Sequence, residues 1–262
     1  MKATSPTSSA SWDGGAYDAV AEAQHRWGLE VITRVPASAR RVLDAGCGSG
    51  RVTADLLARM PAARVTCLDA SASMIEAARQ RLTPFADRVS FLAADLAVPL
   101  PEDLQVDCVL STGTLHWVTD HTAAFANLFS ALAPGGALVA QCGGAGSLAR
   151  VRDRLDRLGI QWRHLNCYVG AEDTEARLRA CGYVDVWCWL EPRPIGFASV
   201  DALARYLDAA ALSPYVEGLD PEHRSTVVAA VASAVSSLTL DFVRLNILAR
   251  RPLAPGGPEE SL

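Results

Sequence analysis

The stretch Val42-Leu43-Asp44-Ala45-Gly46-Cys47-Gly48-Ser49-Gly50 sets glycines at every second position between an apolar run and a helix-like one. Glycine takes the dihedrals of a tight turn and lets the backbone come close to a ligand. The N–H groups of the helix start then face that ligand, as they do at anion sites. The spacing is G-x-G-x-G, with Arg51 where the third glycine of a dinucleotide-binding turn falls. Asp44, just ahead of the glycines, repels a pyrophosphate but attracts the ammonium group of a methionine moiety. Asp69 closes the next apolar run, where a carboxylate can accept both ribose hydroxyls. That last feature fits a nicotinamide dinucleotide equally well and does not discriminate.

His116 stands in Thr112-Gly113-Thr114-Leu115-His116-Trp117. With an ordinary pKa near ~6.5 it is suited to take a proton from an attacking hydroxyl. Hydrogen bonding to a substrate oxygen, or simply shaping the pocket beside Trp117, are its alternatives. His121, His164 and His223 lack metal-ligand spacing and read as surface residues. The bidentate fork of Arg244 suits a substrate carboxylate; its apolar neighbours leave an exposed edge arginine as the rival reading. Trp12, Tyr17, Gln24 and Trp27 precede the first strand, where they form either a lid over the site or staples in the core. Trp187 and Trp189 flank Cys188, so they share one strand face and are expected to pack against a helix.

Strand-like and helix-like runs alternate over the first half of the chain. Strands are expected at Arg41–Ala45, Val65–Leu68, Val89–Leu92, Val106–Leu110 and Ala137–Gln141. Helices are expected at Arg51–Met60, at Ala72–Leu82 behind a Ser71 cap, and at Asp120–Leu132, stopping at Pro134-Gly135-Gly136. Apolar strands separated by helices imply a parallel sheet covered on both faces, and right-handed crossovers make it doubly wound. The second half reads as helices at Leu148–Leu158, Asp173–Cys181, Val200–Ala211 and Pro221–Ser236, with strands at Val184–Leu190 and Leu238–Ala249.

With these residues in hand, the chain resembles the class I S-adenosylmethionine-dependent methyltransferases, whose first motif is closely matched by Asp44 to Gly50. The resemblance covers about residues 40–142. It implies a Rossmann-like α/β fold: a doubly wound seven-stranded, mostly parallel sheet with the last strand antiparallel, and a helical lid and insert. It implies S-adenosyl-L-methionine as cofactor, held by Asp44, Gly46, Cys47, Gly48, Gly50, Asp69, Ala70, Met74, Ala94, Asp95, Leu96 and Ser111. In that family the acid ending the second strand holds the ribose, here Asp69, and Ala94-Asp95-Leu96 matches the segment near the adenine amino group; a helix cap or turn is the rival role for Asp95. A narrower likeness is to the trans-aconitate methyltransferases and their relatives. It rests on Leu115-His116-Trp117, on Tyr206, Leu212-Ser213-Pro214-Tyr215 and Leu219, and on Phe242-Val243-Arg244-Leu245 with Ala249-Arg250-Arg251-Pro252. Gln24-x-x-Trp27-Gly28 departs from the aconitate enzymes themselves. With the lid and Arg244 readings added, the expected substrate residues are Trp12, Tyr17, Gln24, Trp27, Trp117, Tyr206, Tyr215 and Arg244, with His116 as the candidate catalytic residue.

The 262 residues are half hydrophobic and one-fifth charged, with a formal net charge of −5, which suits a globular protein and disfavours a nucleic-acid partner. Lys2 is the only lysine, and the arginines are scattered rather than clustered. The seven cysteines include no C-x-x-C pair and read as reduced thiols, without metal, in a cytoplasmic protein. No apolar run is long enough to span a bilayer. The expected organisation is a tail over 1–10, one methyltransferase domain over 11–252 with lid helices in 11–38 and an insert over 199–236, and a tail over 253–262, as a monomer or homodimer. The expected reaction is methyl transfer to a small molecule, at an oxygen of a carboxylic acid or hydroxylated metabolite. Alternatives are N- or C-methylation in natural-product biosynthesis, a nicotinamide oxidoreductase, and a cofactor-binding protein without methyl transfer.

Overall fold

Strand β1 (Arg41–Ala45) is buried from Val42 to Ala45, on both faces at once, which only a sheet layered between helices permits. The computed structural model describes residues 20–160, 166–216, 218–235 and 237–254. In it β1, β2 (Arg64–Asp69), β3 (Val89–Ala93), β4 (Val106–Thr112) and β5 (Leu132–Gly143) run parallel. Strand β6 (Val184–Pro192) lies at the edge, and β9 (Val243–Arg250) is antiparallel to both β5 and β6. The order is β3-β2-β1-β4-β5-β9-β6, the doubly wound seven-stranded sheet expected from the sequence. The order reverses between β1 and β4, so the glycine turn after β1 and the His116 segment after β4 leave side by side at one sheet end, where such folds bind ligands.

Helices α1 (Glu22–Ile32), α2 (Arg51–Arg59) and α3 (Ala72–Arg81) cover one face around Leu56, Leu57, Ile75 and Val139. Ser71 Oγ accepts from Met74 N at 3.4 Å and caps α3 as expected. Helices α4 (His121–Ala131) and α6 (Ala171–Ala180) cover the other face around Phe125, Leu128 and Leu178. A third apolar cluster lies apart from the sheet. It joins Trp27 of α1 to α5 (Ala149–Arg157), α7 (Val200–Tyr206), the π-helical turn Leu207–Ala211, α8 (Ser213–Val216) and α9 (Pro221–Ala234). Helices α7 to α9 fall within the range 199–236 read as an insert, and α5 packs with them.

Several expectations need correction. Helix α4 ends at Ala131, and β5 already begins at Leu132, five residues ahead of its expected start at Ala137. The pairing steps from Val106↔Leu132 to Cys108↔Ala137, so Pro134-Gly135-Gly136 is a bulge inside the strand rather than the turn before it. The last strand is broken as well. Thr239–Leu240 (β8) pairs with Ile195–Gly196 (β7) in a separate small sheet, and β9 starts only at Val243. Asp241 makes the break: its carbonyl accepts from Leu148 N at 2.8 Å and its Oδ2 from Ala149 N at 3.1 Å, so it serves the start of α5 instead of a ladder. The expected helix over Val200–Ala211 is α-helical only to Tyr206. Trp187 does not pack against a helix; it is 60% exposed and leans on Trp189, which meets Arg34. His121 is not a surface residue but is buried, its Nε2 on Leu115 O at 2.8 Å, because it opens α4 against the sheet. Trp12, Tyr17, His164 and the tail over 1–10 lie outside the described residues, as does 255–262 of the other tail.

Candidate active site

Gly46, Gly48 and Gly50 all adopt positive φ, at 85°, 55° and 77°. Gly46 N and Cys47 N both donate to Leu68 O, at 2.7 and 2.9 Å, which ties the turn to the end of β2. A Cβ on Gly46 would stand 2.1 Å from Thr114 Oγ1, so the turn after β1 and the segment after β4 meet only because this residue is glycine. Gly48 faces open space, and its N–H donates to Asp69 Oδ2 at 2.9 Å. Ser71 N donates to the other oxygen, Oδ1, at 2.9 Å, fixing the carboxylate at the strand end.

Asp44 is 1% exposed. Its Oδ2 accepts from Thr53 Oγ1 at 2.6 Å, whereas Oδ1 is buried with no hydrogen-bond partner among the described residues. Burial raises its pKa to about 6 against the help of Thr53, and the charge of Asp69 adds to the rise. Burial also raises Asp69, against its bonds from Ser71 and Gly48. Two desolvated carboxylates beside an open glycine turn, one with an orphaned oxygen, suit a ligand that brings a cation and hydroxyl donors.

The other residues expected around the cofactor divide. Ala94 N donates to Asp69 O at 3.1 Å, which carries the end of β3 to the same place, and Leu96 is buried behind it. Asp95 Oδ1 accepts from Ala97 N at 2.9 Å, so the turn role weighed for it is filled. Cys47 and Met74 are buried at the turn and at the start of α3, and Ala70 is exposed after Asp69. Ser111 Oγ donates to Ala45 O at 2.7 Å, tying β4 to β1.

The other half of the site grows from the 3-10 turn Leu115–Trp117 after β4. His116 is buried, and its Nδ1 accepts the N–H of Gly143 at 3.3 Å. Burial lowers its pKa well below the usual 6.5, and the nearby Arg244 charge pushes the same way. The ring is therefore neutral, and with Nδ1 accepting, its hydrogen sits on Nε2. Tyr168 stacks on His116 at 5.5 Å between centroids, Trp117 lies at 4.9 Å, and Arg152 covers Tyr168 at 5.0 Å. Arg244 is 4% exposed, its Nε 3.3 Å from Gln141 Oε1 and its guanidinium 4.6 Å over Trp27. The exposed-edge reading of Arg244 is thus overturned, because β9 is an inner strand between β5 and β6.

Gln24 Nε2 bonds the Tyr206 hydroxyl, which ties α1 to the insert, and Trp27 packs edge-on against Phe242 at 5.5 Å. Tyr215 faces Trp117 at 6.3 Å and accepts a hydrogen bond from Asn166 Nδ2. His116, Trp117 and Tyr215 therefore meet in series, and Arg244 lies over Trp27. Tyr168, Asn166, Gln141 and Arg152 contact these residues or one another, and sequence reasoning did not single them out. Asn166 and Tyr168 lie in an irregular stretch without periodicity, and only the Gly143-Gly144 doublet signals that something comes close to the end of β5. A Cβ on Gly143 would stand 2.5 Å from Tyr168 Cε1.

The model of the family described as "Methyltransferase domain" matches residues 42–136. Trans-aconitate 2-methyltransferase of Methylobacterium radiotolerans is 31% identical, over 92% of this chain and 99% of the relative. The protein of that name from Streptomyces coelicolor is 31% identical, over 98% of this chain and 90% of the relative. Among solved structures, Haemonchus contortus phosphoethanolamine N-methyltransferase 2 with S-adenosyl-L-methionine superposes with a TM-score of 0.62. It is 17% identical, over 91% of this chain and 56% of that one, and so speaks for the fold alone.

Proposed function

Because the chain belongs to the class I S-adenosylmethionine-dependent methyltransferases and acts on a small molecule, we propose that its acceptor is a carboxylate oxygen of a small organic acid. The observation that carries this reading is the state of His116. A neutral ring whose Nδ1 accepts from Gly143 N–H presents an N–H, not a lone pair, at Nε2. It can donate to a substrate oxygen but is ill-suited to remove a proton. An alcohol or phenol needs such a proton acceptor, whereas a carboxylate is already ionised at neutral pH. Arg244, buried beside His116, supplies the positive charge that an anionic acceptor requires. The names of the relatives, trans-aconitate 2-methyltransferases, agree with an acid as acceptor.

When bound, S-adenosyl-L-methionine supplies a methyl group on a sulfonium, open to in-line displacement. Asp44 and Asp69 are the residues proposed to hold it: the orphaned Oδ1 of Asp44 toward the ammonium, and the anchored carboxylate of Asp69 toward the ribose. Gly46, Gly48 and Gly50 keep the turn low enough for that approach. Arg244 orients the acceptor, His116 Nε2 hydrogen-bonds it, and Trp117, Tyr206, Tyr215 and Trp27 shut out water, which strengthens every charge interaction inside.

The test is transfer from methyl-labelled cofactor to a panel of small acids, trans-aconitate first, with phenols and amines alongside. Labelled product that releases methanol in mild base is the expected methyl ester. Base-stable label on a phenol or amine would overturn the carboxylate reading.

A further inference from the structure

We infer that Gln141 is a positioning residue for the acceptor: its side-chain oxygen holds the Arg244 guanidinium by Nε, and its amide is locked in that sense by Asn246 and Arg34. The inference rests on the proposed reading in which Arg244 orients a carboxylate, and adds to it the group that orients Arg244.

Strand register brings these groups together. Gln141 of β5 stands opposite Asn246 of β9, and Gly143 stands opposite Arg244. Side chains alternate along a strand, so Gln141, Asn246 and Arg244 share one sheet face, with Arg244 diagonal to Gln141. All three are buried. Arg244 Nε lies 3.3 Å from Gln141 Oε1, and Gln141 Nε2 lies 2.8 Å from Asn246 Oδ1. Arg34 Nη1 reaches the same Asn246 oxygen at 2.7 Å. The two ends of this row decide which way its amides face, because a guanidinium only donates. Arg244 requires the oxygen of Gln141, and Arg34, itself laid over Trp189 at 5.1 Å, requires the oxygen of Asn246. Turning one amide or both would set donor against donor at an arginine. The fold accepts a cost for this order: Asn246 Nδ2 is buried with no partner among the described residues. What Gln141 does for the chemistry follows from its neutrality. A carboxylate at this position would also hold the guanidinium, but it would cancel the charge that an anionic acceptor needs; an amide holds it and leaves the charge. The main chain ties this grip to the His116 segment, since Gln141 O accepts from Gly113 N at 2.8 Å.

The test uses the full chain with Gln141→Met, Gln141→Glu, Arg244→Met, and Gln141→Met combined with Arg244→Met. For each, S-adenosylhomocysteine affinity, melting temperature, and kcat and KM are measured, using the acid of the panel that wild type methylates best. Arg244→Met removes the charge and should raise KM about 100-fold. Gln141→Met keeps the length of the side chain but releases the guanidinium, and should raise KM about 5- to 20-fold with kcat changed less than about threefold. Combined, the two should fall within about twofold of Arg244→Met alone, because Gln141 acts only through Arg244. Gln141→Glu still accepts from Nε but pairs the charge, and should raise KM at least about tenfold. Cofactor affinity should change less than about twofold throughout. A residue that only fills the core would instead lower the melting temperature and leave KM in place. A KM for Gln141→Glu within about twofold of wild type, or penalties that multiply in the double variant, would overturn the inference while leaving the carboxylate reading intact. Gln141→Glu, which keeps the acceptor, decides alone if Gln141→Met does not fold. If wild type methylates no acid at all but does methylate a phenol or amine, the carboxylate reading falls and the inference with it.

Discussion

Asp44 shows most plainly how a single residue burdens the empty fold in a way that the proposed binding role would explain. Its pKa rises on folding from 3.8 to about 6. The folded chain therefore binds a proton more tightly than the unfolded one, and the stability this gives is present at low pH and lost as pH rises through about 6. At neutral pH the ionised carboxylate is a burden of about 1–3 kcal/mol. Asn in its place still accepts from Thr53 Oγ1, which now bonds Oδ2 at 2.6 Å, without the buried charge. Asp44→Asn should therefore stabilise the cofactor-free protein at pH 7.5 by about that amount in urea unfolding. The same change should weaken S-adenosylmethionine binding at least about tenfold, because a neutral amide cannot match an ammonium group as a carboxylate does. Calorimetric titration beside the unfolding curves reads both effects. A more stable variant with undiminished cofactor affinity would remove Asp44 from the ammonium site.

At the scale of elements, the site depends on how closely strand ends approach one another. Gly143 ends β5, and a methyl group there would meet Tyr168 Cε1 at 2.5 Å and His116 Cγ at 3.3 Å. Tyr168 is also held by neighbours on its faces: His116 stacks on it at 5.5 Å and Arg152 lies over it at 5.0 Å. Gly143→Ala should therefore displace both rings and cut kcat/KM at least about tenfold, while costing only about 1–3 kcal/mol of stability, as overpacking generally does. Retained activity with unchanged aromatic circular dichroism would show that the rings have room to move. Elements of this kind were legible in the sequence where local pattern governs them. The G-x-G-x-G turn, the Ser71 cap and the alternation of strands and helices predicted the sheet and its helices, and marked Asp44 and Asp69 as the acids beside the turn. What stayed hidden depends on contacts distant in sequence. Pro134-Gly135-Gly136 looks like a turn but is a bulge, because Gly135 N is taken up by Arg251 and Pro252 carbonyls at 3.0 and 3.2 Å. Asp241 looks like part of one strand, but the start of α5 claims it. Tyr168 and Asn166 carry no periodic signal at all, and only the folded chain brings them to His116.

For the molecule as a whole, two buried acids and two buried histidines pull stability in opposite directions with pH. Burial raises Asp44 and Asp69 beside the glycine turn, whereas burial lowers His116 after β4 and His121 at the start of α4. For the histidines, the unfolded chain takes up protons below about 6.5 that the folded chain refuses. Their neutral burial is thus free at pH 8 and increasingly costly as pH falls through 6.5, while the acids gain over the same fall. Acid sensitivity of the fold then depends on the balance between these histidines and these carboxylates. His116→Gln keeps a side chain able to meet Gly143 N–H but removes the titration. Its stability relative to wild type should therefore shift in its favour as pH drops from 7.5 to 5.5, by up to about 1.4 kcal/mol per pH unit below 6.5. Urea unfolding at steps across that range measures the difference directly. Parallel curves for the two proteins would mean that His116 gains its proton in the folded state as easily as in water. The donor role proposed for its Nε2 would then lose its physical basis, since a ring that titrates normally is as able to take a proton as to lend one.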